Sequence, residues 1–246
     1  MLIPAAGEGT RMGGTRKQFR SLGGKSLLVR TLSVFQRHDE VETIVVAAPA
    51  EAVDPLQHEF AAEGLTKAQA VVPGGATRQA SVEAALMATP ATCTVLLVHD
   101  AVRPFVRAGH ISAVIAAVRQ HGAAALAVPV ADTMRRGYGG RFAETVPREQ
   151  LFAMQTPQGF QRGIFESAHA RPSAPTTDDV ALVQRLGYPV WIVEGSPRNF
   201  KVTTPDDWAL AQMLWAEVQQ TEAQNDYQAG SASKRSPTPT AAKRGV

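Results

Sequence analysis

Short, continuous apolar runs alternate with amphipathic stretches along most of this chain. Leu2–Ala5, Thr43–Ala48, Ala70–Val72, Thr94–Val98, Ala123–Val130 and Val190–Glu194 are rich in Val and lack polar alternation. That pattern predicts strands covered on both faces. Between them, Leu27, Leu28, Thr31, Leu32 and Phe35 fall close to one helical face. Val82, Ala85 and Leu86 do the same, as do Ile111, Val114, Ile115 and Val118. Thr204, Pro205, Asp206 and Asp207 signal the start of a last helix bearing Trp208, Leu210, Ala211 and Leu214. Strands alternating with helices predict an α/β sandwich with a largely parallel sheet and right-handed crossovers. In such sheets ligands bind beyond the carboxyl ends of the strands, so chemistry is sought in the loops there.

One segment breaks the alternation. Residues 131–150 read as two short strand arms around Gly137–Gly140, a hairpin projecting from the sheet. Isolated hairpins are marginal in water, which calls for a partner. From residue 222 to 246 there is no Ile, Leu or Phe. Such a segment cannot bury enough apolar area to offset its ordering entropy, so the expected division is a domain over 1–221 and a disordered tail over 222–246.

Composition narrows the function classes. The 246 residues carry a net charge of +3, most of it from Lys234, Arg235, Lys243 and Arg244 in the tail. The remaining body is near neutrality and has no electrostatic footprint for nucleic acid. The single cysteine, Cys93, excludes an internal disulfide and a four-cysteine zinc site. No apolar run approaches the roughly 18 residues of a membrane span, and no basic-then-apolar leader opens the chain. The expected setting is the cytoplasm, with no membrane partner.

Four loops carry candidate chemistry. The first strand runs into Ala5-Ala6-Gly7-Glu8-Gly9-Thr10-Arg11, followed by Arg16-Lys17. Glycines let backbone amides approach a ligand, and the basic side chains call for an anion, most simply a polyphosphate. The dinucleotide fingerprint fails at Met12 and the Walker motif fails at Phe19. Asp100 leaves the fourth strand and points into the crevice, with Arg103 beyond it. A carboxylate beside a polyphosphate calls for a hard cation between them, Mg²⁺. Asp100 capping a helix or pairing with Arg103 is the structural alternative. Gly74-Gly75 open a helix at Arg78, where backbone groups can read a base edge, and Thr177-Asp178-Asp179 reads equally as an N-cap. Arg198, Asn199 and Lys201 follow the last strand.

In order, these motifs resemble one family. They are Ala5-Ala6-Gly7-x-Gly9-x-Arg11-Met12 with Lys17-Gln18, Gly74-Gly75-x-x-Arg78-x-x-Ser81, His99-Asp100-Ala101-x-Arg103-Pro104, Asp132-Thr133, Gln155-Thr156-Pro157-Gln158, Thr177-Asp178-Asp179 and Asn199-x-Lys201-x-Thr203. The family is the 2-C-methyl-D-erythritol 4-phosphate cytidylyltransferases of isoprenoid synthesis. Relative to its pattern, Arg16 stands where a Pro is usual and Ala76 where an acidic residue is usual. The resemblance implies a Rossmann-like nucleotidyltransferase sandwich with a mostly parallel mixed sheet, and transfer of CMP from CTP to the polyol phosphate 2-C-methyl-D-erythritol 4-phosphate, giving 4-diphosphocytidyl-2-C-methyl-D-erythritol and pyrophosphate. It assigns Arg11, Lys17, Arg148 and Lys201 to catalysis. Ala5, Ala6, Gly7, Gly9, Gly74, Gly75, Arg78, Ser81, Asp100 and Ala101 fall to the nucleotide. Arg103, Thr133, Arg148, Thr177 and Lys201 fall to the acceptor, and Asp100 to Mg²⁺. It also implies a homodimer whose 131–150 arm brings Thr133 and Arg148 to the neighbouring site. A cytidylyltransferase for another acceptor, such as ribitol 5-phosphate, is the alternative. A non-catalytic nucleotide-binding regulator does not need the acceptor clamp of Arg148 and Lys201.

Overall fold

The computed structural model describes residues 1–8, 16–171 and 176–233, with side chains through 221. In chain order its elements are β1 (Leu2–Pro4), a small hairpin of β2 (Ser21–Leu22) and β3 (Lys25–Ser26), α1 (Leu27–Gln36), β4 (Ile44–Ala48), α2 (Val53–Ala62), β5 (Ala68–Pro73), α3 (Arg78–Met87) and β6 (Val95–Val98). There follow α4 (Ala108–His121), β7 (Ala123–Pro129), β8 (Met134–Tyr138), β9 (Arg141–Val146), β10 (Phe152–Gln161), α5 (Arg162–His169), α6 (Asp179–Gln184), β11 (Trp191–Glu194) and α7 (Pro205–Ser233).

Seven strands form one sheet in the order β11-β7-β10-β6-β1-β4-β5. Every pairing is parallel except those of β10, which runs antiparallel between β6 and β7. Successive residues of a strand face opposite sides. Ile3 and Val46 therefore enter a core with Leu28, Leu32, Phe35, Ile111 and Val114 from α1 and α4. Leu2 and Val45 enter the other core, with Val82, Leu86, Phe165 and Val183 from α3, α5 and α6. Burial on both faces is why β1, β4, β6 and β7 read as unbroken apolar runs; β5 and β11, expected to be covered in the same way, stand at the sheet edges, where Trp191 and Ile192 of β11 are exposed.

The helix starts follow their capping residues. Ser26 Oγ accepts from Val29 N at 3.2 Å to begin α1, and Thr77 Oγ accepts from Ala80 N at 3.0 Å to begin α3. At α7, Thr204 Oγ accepts from Asp207 N at 3.1 Å while Asp207 accepts from Thr204 N at 2.8 Å, a reciprocal cap. That helix continues past residue 221 to Ser233, and residues 234–246 lie outside the described part.

The hairpin over 131–150 forms as β8 and β9, joined at Gly139-Gly140, and pairs only with itself. The strand that hydrophobic patterning does not reveal is β10, the one antiparallel member of the sheet. Its sequence, Phe-Ala-Met-Gln-Thr-Pro-Gln-Gly-Phe-Gln, carries a proline and four amide or hydroxyl side chains. Proline argues against a central strand unless a bulge removes it from the ladder. Here the register shifts between Met154 and Gln158, so Gln155 to Pro157 stand out of the pairing. A Cβ at Gly159 would lie 2.7 Å from Val118 and 2.8 Å from Val114, so glycine is what lets α4 close onto this strand.

Candidate active site

The carboxyl ends of β1, β5 and β6 surround a crevice of about 520 Å³. Ala5, Ala6 and Gly7 follow β1. Gln18 fastens this turn, its side-chain amide donating to Ala5 O at 2.7 Å and Gly7 O at 2.9 Å. Lys17, on the same short 3-10 turn (Lys17–Phe19), lines the crevice. Gly75, Arg78 and Ser81 enter from the β5–α3 connection. The Ser81 hydroxyl accepts from Gly75 N at 3.2 Å and donates to Thr77 O at 3.0 Å, which fixes the turn. A Cβ on Gly74 would meet that of Ala6 at 2.5 Å, so only glycine lets the β5 turn approach the β1 turn.

Asp100 and Ala101 follow β6, and Lys201 arrives from the loop before α7. Asp100 is buried, yet three cations meet it: Arg78 Nε lies 3.5 Å from Oδ1, and Arg103 Nε and Lys201 Nζ each lie 3.1 Å from Oδ2. Burial alone would push its carboxyl up. The charges of Lys201, Arg78 and Arg103 outweigh that and hold it well below the usual carboxylate range. Arg78 is gripped again by the buried Asp179, Nη1 to Oδ2 at 2.7 Å. Cations exceed carboxylates here, so Asp100 spaces the cations without cancelling them. The crevice keeps a surplus of positive charge for an anion.

A buried hydrogen-bond network sets the position of Asp100. Thr156 Oγ accepts from Asp100 N at 3.1 Å and contacts His99 Nδ1 at 2.9 Å. His99 Nε2 lies 3.0 Å from Arg103 O, which can only accept. The proton therefore sits on Nε2, and Thr156 donates to Nδ1. Burial pushes the His99 imidazole down to about 4, so it is neutral at pH 7. Arg103 Nη1 donates to Asn199 O at 2.7 Å, and Asn199 Nδ2 donates to Thr156 O at 2.8 Å. Gln155 Nε2 donates to Ser196 O at 2.8 Å, while Gln158 Oε1 accepts from Asp179 N at 3.0 Å. The polar bulge of β10 thus ties together the loops that present Asp100, Lys201 and Asp179.

Ten of the sequence-derived candidates meet at this crevice: Ala5, Ala6, Gly7, Lys17, Gly75, Arg78, Ser81, Asp100, Ala101 and Lys201. Gly74 sits directly behind the wall. Arg103 does not line the crevice: it lies behind Asp100, its Nε donating to the Asp100 carboxylate and its Nη groups turned to backbone carbonyls. Thr177 is exposed just ahead of Asp178, whose carboxylate caps α6 by accepting from Ala181 N at 2.9 Å. Thr133 and Arg148 are exposed at the base of the arm and do not line this chain's own crevice, and Arg148 bonds Ala131 O. Gly9 and Arg11 lie outside the described residues. Arg16 turns outward to Glu51 at 2.6 Å, which leaves Lys17 as the crevice cation of that pair. Sequence reasoning assigned no role to Gln18, Asp179, Gln155 or Thr156. The signal that could have found them was the density of amide and hydroxyl side chains inside otherwise apolar surroundings.

A sequence model of the family described as IspD, 2-C-methyl-D-erythritol 4-phosphate cytidylyltransferase, matches residues 1–217. The 2-C-methyl-D-erythritol 4-phosphate cytidylyltransferase of Salinibacter ruber is 57% identical over 218 residues, 87% of this chain and 92% of its own length. That of Deinococcus radiodurans is 46% identical over 220 residues, 88% of this chain and 89% of its own. The crystal structure of the enzyme from Thermus thermophilus superposes with a TM-score of 0.74 at 38% identity, covering 87% of this chain and 97% of that one. The order of motifs, the sheet with its single antiparallel strand and the cationic crevice thus coincide with close sequence kinship, and the chain belongs to the IspD family of cytidylyltransferases.

Proposed function

We propose that the crevice transfers the cytidylyl group of CTP to 2-C-methyl-D-erythritol 4-phosphate in the cytoplasm. The products are 4-diphosphocytidyl-2-C-methyl-D-erythritol and pyrophosphate, on the way to isoprenoid precursors. The observation that carries this reading is the cation surplus around Asp100, beside a glycine-lined turn at the carboxyl ends of β1 and β6. An acceptor phosphate oxygen attacks the α-phosphorus of CTP. The new P–O bond forms as the bond to pyrophosphate breaks, and the electron pair leaves with pyrophosphate. Both reactants are anions and the acceptor already carries the nucleophilic oxygen, so neither a protein nucleophile nor a general base is required. What the protein supplies is positioning and charge.

Lys17 stabilises charge at the α-phosphate, joined by Arg11 from the glycine turn. Gly74, Gly75 and Ser81 hold the base, and Arg78 faces the phosphates. Lys201 binds the acceptor phosphate, with Thr177 near it and Arg103 bracing Asp100 and the Lys201 loop. Among the described residues no three His, Cys, Asp or Glu side chains gather into a metal site. The crevice instead offers the carboxylates of Asp100 and, at the rim, Glu8. A donor set this sparse suits Mg²⁺ carried in on a triphosphate, because Mg²⁺ takes one or two carboxylates and completes its shell with phosphates and water. Asp100 is the residue that would hold it, and the cation would neutralise charge on the phosphate oxygens. The arm completes the site in a homodimer, presenting Thr133 and Arg148 to the neighbour's acceptor.

Pyrophosphate release with CTP tests the reading. 2-C-methyl-D-erythritol 4-phosphate should support turnover, and ribitol 5-phosphate should not at a comparable rate. Equal or better turnover of ribitol 5-phosphate would overturn the acceptor, and no release with either would overturn the reaction.

A further inference from the structure

A second cavity, of about 460 Å³, opens between α1, the turn entering α4 and the flank of α7. It shares no lining residue with the crevice. One side of it is apolar, built from Val34, Phe105, Val106, Leu214 and Trp215. The rest is cationic, with Lys25, Arg30, Arg37, Arg107 and Arg198, and no aspartate or glutamate lines it. Some of this charge is already engaged. Lys25 pairs with Glu63, Arg198 pairs with Glu217 at 2.9 Å, and Arg30 lies 4.1 Å over the Trp215 ring. Arg37 and Arg107 are exposed and have no carboxylate partner among the described residues.

The cavity is also a braced one. His38 Nδ1 accepts from Glu40 N at 3.3 Å, so its proton sits on Nε2, which reaches Ala108 O at 3.2 Å. That contact pins the turn bearing Arg107 to the end of α1. The volume suits a small molecule. Guanidinium pairs suit the planar, bidentate recognition of phosphate oxygens, and the facing hydrophobic wall suits an apolar body.

We propose that this cavity binds a small phosphate-bearing amphiphile, its phosphate between Arg37 and Arg107 and its apolar part against Phe105, Leu214 and Trp215. The place is the reverse side of the acceptor clamp. Pro104 and Phe105 continue directly from Arg103, and Phe105 stacks on Phe200 with ring centroids 5.6 Å apart, next to Lys201.

Calorimetric titration of hexyl phosphate into the full-length protein tests this, with inorganic phosphate as the second probe. Hexyl phosphate should bind the tighter of the two. The double variant Arg37→Glu/Arg107→Glu, both surface positions, should weaken hexyl phosphate roughly tenfold or more while pyrophosphate release from CTP persists. Lys201→Ala, which alters the acceptor clamp, should leave hexyl phosphate binding intact. Binding unchanged in the double variant, binding lost in Lys201→Ala, equal affinity for inorganic phosphate, or no binding to the wild type would each overturn the proposal.

Discussion

The floor of the crevice and the projecting arm both carry residues that the family resemblance assigns to the reaction, yet they are built in opposite ways. At the floor, Asp100 is buried, its backbone N–H is bonded to Thr156, and its carboxylate is met by three cations. In the arm, β8 and β9 bond only to each other, Tyr138 and Phe142 are 66% and 85% exposed, and Thr133 and Arg148 face solvent. A side chain fixed by a buried network is placed before substrate arrives, so it can act on charge that develops during the reaction. A side chain on an uncovered hairpin acquires its place only when something covers the hairpin. Loss of the floor cation that acts on the α-phosphate should therefore appear in kcat, and loss of a side chain that holds the acceptor, whether Lys201 in the crevice or Arg148 on the arm, in acceptor binding.

The largest effect is expected at the floor. Lys17→Ala should lower kcat by roughly 10²–10³, or about 3–4 kcal/mol of transition-state stabilisation, with a smaller change in KM for CTP. Steady-state kinetics with CTP varied checks this, and near-normal turnover would remove Lys17 from its role. The acceptor clamp comes next. Lys201→Ala and Arg148→Ala should each raise the acceptor KM by roughly ten- to a hundredfold, the worth of one hydrogen bond to a charged group, while CTP affinity changes little. A loss of CTP binding in Lys201→Ala would show that the two clamps are not separate.

The smallest effect on turnover is expected from His99→Gln, which sharpens the account of the floor through pH. Burial lowers the folded His99 value from 6.5 to about 4. Between those values the unfolded chain binds a proton that the folded chain does not. Stability from this group is therefore full above pH 6.5, falls as pH drops toward 4, and is level below that. The fall is on the order of 3 kcal/mol. Urea denaturation at about pH 7 and about pH 4.5 should give a smaller pH difference for His99→Gln than for the wild type. Equal differences would mean that His99 does not carry it.

Much of this architecture was legible from residue pattern because the central parallel strands β1, β4, β6 and β7 are buried on both faces and most helices announce their caps. Ser26, Thr77 and Thr204 sit where capping chemistry needs them. Besides the two-residue strands β2 and β3, the strand that escaped is β10, and the physical reason is its work. Gln155, Thr156 and Gln158 spend their polar groups inside the protein to hold three loops, so the segment reads as polar and proline-broken although it is central. Arg103 stands behind the crevice wall for a related reason. Beside Asp100 in sequence it looks like a ligand-facing charge, but its Nε donates to Asp100 itself and its Nη groups to Asn199 O and Met154 O behind the wall. Local sequence reveals which side chains can bond phosphate, whereas the direction of an arginine at the end of a strand depends on carbonyls contributed by distant segments.

The contrast between floor and arm is tested most directly by mixing two crippled proteins. Lys17→Ala damages the crevice and leaves the arm intact, and Arg148→Ala does the reverse. Subunits exchanged between the two should form mixed dimers in which one site joins an intact crevice to an intact partner arm. In an equal mixture half of the dimers are mixed and half of their sites are whole, so activity at limiting acceptor should recover to about a quarter of wild type. Activity that stays at the average of the two variants after exchange would contradict the account, because the arm would then serve its own crevice or none.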